Sequence, residues 1–177
     1  MLWPFNHFRK PRSAERGTIE AIYGMIVTQA REPMFYTDLG VPDTVNGRFD
    51  LLLLHLWLLL RRLRSVADGT ALAQALFDRF CEDMDDNLRE MGIGDQVVPK
   101  RMRAFGEAFY GRSMAYDQAL EAGGEALASA IAKNILNGTE PGRARRLAAY
   151  AMAVEAGLGR TDEATLLRGS FAFPVAA

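Results

Sequence analysis

One histidine and one run of carboxylates are the residues of this sequence best suited to chemistry. His55 lies inside the otherwise apolar stretch 51–60, and residues 78–90 contain six Asp and Glu side chains. A histidine that faces carboxylates across a cavity could bind a metal or act as a general base. The residues one helical turn from His55 are Leu51, Leu52, Leu58 and Leu59. Because leucine cannot ligate a metal, this spacing favours a packed histidine, with a pH-dependent partner contact as an alternative.

The acidic run has several interpretations. A di-metal carboxylate bundle would need Glu-x-x-His pairs, which do not occur in the sequence, and glycoside chemistry would need a polar, aromatic sugar cleft. The run is therefore interpreted as a solvated face or as a docking surface, because concentrated charge produces a strong local field. A small helical enzyme or cofactor carrier that uses His55 and the carboxylates of 78–90 stays as an alternative.

Other catalytic motifs are absent from the sequence. Cys81 is the single cysteine, which excludes an intrachain disulfide and a cysteine-based zinc cluster. There is no Gly-x-Ser-x-Gly motif, and 92–95 lacks the strand and lysine of a phosphate-binding loop. We therefore expect no enzyme activity, no metal, no cofactor and no small-molecule substrate. The net charge of −1 gives no support to nucleic-acid binding.

Helical periodicity defines the elements that must position these residues. Apolar side chains recur at spacings of three and four, and no segment shows sustained strand alternation. The predicted helices are 14–31, 48–66, 71–91, 99–121, 125–136 and 141–157, with one short turn after them. The sequence therefore predicts an all-α fold, a single-domain bundle of six or seven helices. Thr70 is the predicted N-cap of the third helix.

The leucine-rich stretch 51–60 is too short to span a membrane. Ten helical residues rise about 15 Å, roughly half the thickness of the hydrocarbon core of a bilayer. Arg61, Arg62 and Arg64 follow the stretch at once. A helix that is apolar on all sides in such a chain belongs at the centre of a bundle.

The later helix 99–121 is predicted to continue the apolar pattern with Met102, Phe105, Phe109, Tyr110 and Met114.

Residues 1–16 form a basic, aromatic N-terminal tail before the helical domain 17–177. The tail lacks the apolar core and small-residue cleavage site of a secretory signal, so we expect a cytoplasmic location. It is expected either to be a flexible tail or to lie on an anionic membrane surface. The residues for such a membrane contact are Trp3, Phe5, Phe8, Arg9, Lys10 and Arg12.

Three unusual strings occur in one order: "VPDTVNGRFD" (41–50), "DMDDNLREMGIGD" (83–95) and "KRMRAFGEAFYGR" (100–112). With "IYGMIVTQAREPMFY" (22–36), they resemble the ubiquinol–cytochrome c chaperone family, most distinctly over 22–120. The resemblance implies a non-catalytic assembly factor that binds newly made cytochrome b and assists assembly of ubiquinol–cytochrome c reductase. A small partner subunit and the ribosome are further partners that it implies. A bacterial member would act at the inner face of the cytoplasmic membrane.

Two regions are predicted to contact the client, and a general helical adaptor remains an alternative. The loop 33–48 carries more apolar surface than a solvated linker needs, so it packs on the body or touches a partner. The acidic run would complement the Lys- and Arg-rich cytoplasmic loops of a membrane protein. The predicted partner-binding residues are Phe35, Tyr36, Leu39, Val41, Arg48, Phe49, Asp50, Glu82, Asp83, Asp85 and Asp86.

Overall fold

Eight helical segments make up the part of the chain that can be described. The structure is a computed structural model that describes residues 13–138 and 140–175, with side chains from Arg16 onward. The segments are α1 (Ser13–Ala30), α2 (Met34–Thr37), α3 (Val45–Arg64), α4 (Gly69–Glu90), α5 (Val98–Ala122), α6 (Gly124–Asn134), α7 (Pro141–Arg160) and α8 (Glu163–Leu167). Six of them are long, and α2 and α8 are single turns. The all-α prediction is confirmed.

Helix α3 lies at the centre of the bundle. Every residue from 51 to 60 is buried, including His55, and the helix packs against α1, α4 and α7. Arg61, Arg62 and Arg64 occupy its last turn, where cations favour the negative end of the helix dipole. In the described residues no helix combines the length and apolar character that crossing a membrane requires.

The start of α3 depends on a close approach between two backbone segments. The side chain of Thr44 caps the helix by accepting a hydrogen bond from the Gly47 amide at 3.1 Å. A Cβ atom on Gly47 would lie 2.0 Å from the carbonyl oxygen of Pro42. Gly47 of "VPDTVNGRFD" is therefore a packing requirement at a helix start, because only glycine leaves room for that carbonyl.

Two local predictions need correction. Helix α4 begins at Gly69, and its N-cap is Asp68 rather than Thr70. A Cβ on Gly69 would lie 2.1 Å from the Leu63 carbonyl oxygen, so the α3–α4 turn closes tightly and α4 begins two residues earlier than predicted. On α5, Tyr110 and Met114 are 54% and 46% exposed, because only the opposite face of that helix meets the bundle.

Candidate partner-docking surface

The outer face of α4 is acidic along its whole second half. Asp78, Glu82, Asp86 and Glu90 are exposed at steps of four residues, which places them on one side of the helix. We call these four residues the acidic stripe. Hydrogen bonds among the described residues include one to Asp78, from Gln74 at 2.8 Å, but none to the carboxylates of Glu82, Asp86 or Glu90. The exposed side chains of Met91 and Val97 follow in the α4–α5 turn, 59% and 45% exposed.

Asp83 is bound to α1 and is only 32% exposed, although the sequence groups it with the docking residues. Its carboxylate accepts a hydrogen bond from the Tyr23 hydroxyl at 2.9 Å. Arg79 lies over the Tyr23 ring at 5.0 Å and pairs with Glu20 at 3.0 Å. Burial, followed by the Asp83 charge, raises the pKa of Tyr23. Asp83 therefore joins α1 to α4 and is a less suitable partner contact than Glu82 or Asp86.

Asp85 is also engaged within the chain. Arg89, one turn further along α4, donates to Asp85 and to Asp95, so its guanidinium bridges the helix and the following turn. These hydrogen bonds, first of all the one to Asp85, raise the pKa of Arg89 above its ordinary value. Because its charge is offset by Arg89, Asp85 adds less to the field of the α4 surface than Glu82, Asp86 and Glu90, which pair with no cation among the described residues.

Three of the apolar loop residues predicted to touch a partner lie in the core. Phe35 and Leu39 are completely buried and Val41 is 2% exposed. The turn α2 rotates Phe35 inward, where its ring meets those of His55 and Tyr150 at 5.5 Å and 5.0 Å. For these three residues the prediction is wrong, because the loop packs on the body. Tyr36 is half-buried and donates to the Ala30 carbonyl at 2.7 Å.

The residues 48–50 divide between solvent and the interior. Arg48 is exposed and pairs with exposed Asp43 at 2.8 Å. Asp50 forms a largely buried ion pair with Arg112 of α5. Burial raises the pKa of Asp50, although the Arg112 charge opposes this. Phe49 is half-buried, so Arg48 is the exposed residue of the three.

His55 is a satisfied core residue. Its Nδ1 lies 2.7 Å from the Leu51 carbonyl oxygen, which can only accept, so the Nδ1–H donates. The Tyr150 hydroxyl donates to Nε2 at 2.8 Å and itself accepts from Gln29 at 3.1 Å. The ring of Phe173 closes the pocket at 5.3 Å. Both nitrogens of His55 are thus bonded to groups other than carboxylates, which contradicts the alternative that joins His55 to the acidic run.

Two further observations bear on chemistry. Cys81 is half-buried, and burial raises the pKa of its thiol to about 11, which keeps the thiol protonated. Over residues 13–138 and 140–175 no group of three His, Cys, Asp or Glu residues is arranged to hold a metal ion.

The predicted membrane contact of Trp3, Phe5, Phe8, Arg9, Lys10 and Arg12 lies outside the described residues.

Asp117 is an organising residue that the sequence did not reveal. Its carboxylate accepts hydrogen bonds from the Trp57 indole and from Arg61, both at 2.9 Å, and from Arg64 at 3.0 Å. Arg62 instead donates to the Leu158 carbonyl at 2.9 Å. The arginines at the end of α3 therefore fix α5 and α7 to the central helix. Only a contact across some sixty residues identifies this role, and periodicity carries no signal for it.

Ser113 is a buried polar residue of α5. Its hydroxyl oxygen is buried and has no hydrogen-bond partner among the described residues. An unsatisfied buried hydroxyl costs about 1–3 kcal/mol, and alanine is also the better helix former. Replacing Ser113 with alanine is therefore expected to raise the free energy of unfolding by about 1 kcal/mol in equilibrium urea titrations. Lower stability of Ser113→Ala would contradict this description of the interface.

The described residues form a helical bundle with an acidic stripe on the outer face of α4. The family model described as "Ubiquinol-cytochrome C chaperone" matches residues 37–173, and the chain belongs to this family. The resemblance drawn from the sequence is thereby confirmed. The match also includes the region after residue 125, where the resemblance was less distinct.

Known relatives agree with this family. The ubiquinol-cytochrome-c reductase complex assembly factor 1 of Xenopus laevis is 29% identical over 104 residues, 58% of this chain and 52% of that protein. Its human counterpart is 27% identical over 104 residues, 58% of this chain and 35% of that protein. Protein CBP3, mitochondrial, of Saccharomyces cerevisiae is 30% identical over 108 residues, 59% of this chain and 32% of that protein. The chain thus matches about half or less of the length of these curated relatives.

A solved structure shows the same fold over nearly the whole chain. The crystal structure of the Cbp3 homolog from Brucella abortus superimposes with a TM-score of 0.85 at 38% sequence identity. The alignment covers 92% of this chain and 92% of that one. The single-domain helical architecture is therefore common to both proteins.

Proposed function

We propose that this chain is an assembly factor for the ubiquinol–cytochrome c reductase complex and that its client is newly made cytochrome b. Family membership and the names of the relatives support the first part. The acidic stripe is the observation that carries the second. A membrane protein concentrates Lys and Arg in its cytoplasmic loops, and these complement exposed carboxylates.

The corrected docking surface consists of the acidic stripe with Met91 and Val97 at its end. Exposed apolar side chains next to charge are typical of interfaces in which a hydrophobic contact supplies affinity and charge fixes orientation. Arg48 and half-buried Tyr36 remain candidate contacts at the start of α3. Such a factor would work at the inner face of the cytoplasmic membrane, and a small partner subunit or the ribosome would be additional partners.

Neutralising three of the four carboxylates of the acidic stripe is expected to weaken the capture of cytochrome b about tenfold. Each exposed charge pair contributes on the order of 0.5 kcal/mol, so the loss of three carboxylates in Glu82→Gln, Asp86→Asn and Glu90→Gln sums to about 1.5 kcal/mol. The measurement is the amount of pulse-labelled cytochrome b that co-purifies with the tagged chain from its native host.

The matched control removes the same charge elsewhere. Asp68→Asn, Glu121→Gln and Glu163→Gln neutralise three exposed carboxylates outside the stripe. This control should retain the co-purification of the unmodified chain. Equal loss in both triple variants would show that net charge matters and the stripe does not. Unchanged capture in the stripe variant would refute the docking surface.

A further inference from the structure

Helix α5 is the least buried long helix for its length. Of its 25 residues, only Val98, Ser113 and Tyr116 are buried, whereas α3 buries twelve of 20. No residue from 99 to 112 is fully buried. The unsatisfied hydroxyl of Ser113 weakens the interface further. Segments with few buried contacts open at the lowest free energy, so residues 99–112 of α5 are best suited to detach locally, while Tyr116 and Asp117 hold the second half of the helix on α3.

Beneath α5 lies a layer of aromatic rings supplied by α3 and α4. Phe49, Phe77 and Phe80 line this layer, which we call the phenylalanine groove. Helix α5 fills it with Phe105, whose ring lies 4.8 Å from that of Phe49, and with Phe109, 5.1 Å from Phe77. The centroid of each of the five rings lies within 6.0 Å of the centroid of another.

The residues that α5 places toward the bundle follow the spacing of a helix bound in a groove. Met102, Phe105 and Phe109 pack against the core at positions i, i+3 and i+7. Helices that bind in apolar grooves use this pattern of anchors. At i+10 Arg112 pairs with Asp50, whose side chain is only 12% exposed. The helix thus supplies three apolar anchors and one cation to the groove.

We propose that the phenylalanine groove is a second client-binding surface, which residues 99–112 of α5 cover in the free protein and a helix of the client occupies after this part of α5 detaches. The occupant is a helix with apolar side chains at i, i+3 and i+7 and a Lys or Arg at i+10. The cation is required because detachment of α5 leaves the Asp50 carboxylate unpaired in a largely apolar site, which is costly. This inference rests on the proposed function, since a client must exist for the groove to bind.

The first experiment uses Cys81, the single thiol of the chain, as a reporter of opening. It lies on α4 one turn after Phe77, and is therefore on the side that faces α5. The labelling rate of this half-buried thiol by a water-soluble disulfide reagent measures opening of the full chain. Phe105→Ala is expected to raise the rate at least tenfold, because it removes one of the three apolar anchors that hold α5 on the phenylalanine groove. Ser113→Ala is expected to lower it.

The matched control is Phe171→Ala, which shortens another half-buried phenylalanine, one whose ring packs on Phe173 near the C-terminal end of the described residues. Its labelling rate should stay within about twofold of the unmodified chain. If both variants accelerate labelling in proportion to their loss of global stability, Cys81 becomes accessible only by complete unfolding, and the proposal is wrong.

The second experiment tests the occupant with a probe of known sequence. The probe is a fluorescent peptide of residues 98–116 of this chain, and the receptor is the full chain carrying Phe105→Ala and Phe109→Ala. We expect the peptide to bind this variant at least tenfold more tightly than the unmodified chain. A peptide with Met102, Phe105 and Phe109 replaced by alanine should not bind either receptor. Equal binding of both peptides would overturn the assigned anchors.

The groove and the proposed function fail in different ways. If Cys81 labelling reports no local opening while a strain without the gene still lacks assembled reductase, the groove proposal falls and the proposed function stands. If the groove opens and binds the peptide but the deletion strain assembles the reductase normally, the groove is real and serves another client.

Discussion

Replacing Gly47 with alanine is expected to lower the free energy of unfolding by about 3 kcal/mol. The new Cβ would lie 2.0 Å from the Pro42 carbonyl oxygen, and a backbone atom cannot swing away as a flexible side chain can. The turn must therefore shift. Overpacking of this kind costs about 1–3 kcal/mol, and loss of the Thr44 cap costs about 1 kcal/mol more. Equilibrium urea unfolding followed by circular dichroism measures the change.

The matched control is Gly24→Ala in α1. A Cβ at Gly24 meets no atom within 4 Å, and the residue lies within a regular helix. Alanine there should raise stability by up to about 1 kcal/mol through helix propensity. The two glycine substitutions therefore have opposite expected signs. A Gly47→Ala protein as stable as the unmodified chain would show that the start of α3 is not constrained as described.

Lowering the pH from 7 to 5 is expected to remove about 2 kcal/mol of stability through His55 alone. Complete burial lowers the pKa of His55 to about 4, although the hydrogen bond to the Leu51 carbonyl opposes the shift. The unfolded chain binds a proton at this residue near pH 6.5, and the folded chain does not. The contribution of His55 is therefore fully present above pH 6.5 and is lost as the pH falls toward 4, at about 1.4 kcal/mol per unit.

The variants His55→Gln and His55→Leu isolate this contribution from that of the carboxylates. Either substitution is expected to lower stability at pH 7, because it disturbs the hydrogen bond with the Tyr150 hydroxyl. The informative quantity is the slope: between pH 7 and pH 5 each variant should lose about 2 kcal/mol less than the unmodified chain. Identical slopes, or an NMR titration of His55 near pH 6.5, would contradict a buried neutral imidazole.

The helical architecture follows directly from residue patterns. Residues 51–60 are apolar on all sides, and a helix of that kind in a chain of this size has to occupy the centre of a bundle. The three arginines after residue 60 similarly indicate where α3 reaches the surface. Chemistry could be assessed in the same way, because His55 has only leucines one turn away.

Which of the candidate docking residues are exposed could be predicted only in part, because pairing across the fold decides it. Phe35 looks like a partner contact in the sequence, but its neighbours Tyr150 and His55 are distant along the chain, and they enclose it. Asp83 and Glu82 are adjacent and equally acidic, yet helix geometry turns Asp83 toward Tyr23 of α1 and Glu82 toward solvent. The role of Asp117 likewise depends on three donors from another helix.

Accumulation of assembled ubiquinol–cytochrome c reductase in a strain that lacks this gene tests the central claim most directly. Native gel electrophoresis of membranes, together with the absorbance of haem b, measures the complex and its cytochrome b. We expect both to fall strongly in the deletion strain and to recover when the unmodified chain is supplied from a plasmid. Normal levels of assembled reductase in the deletion strain would contradict an assembly role for this protein.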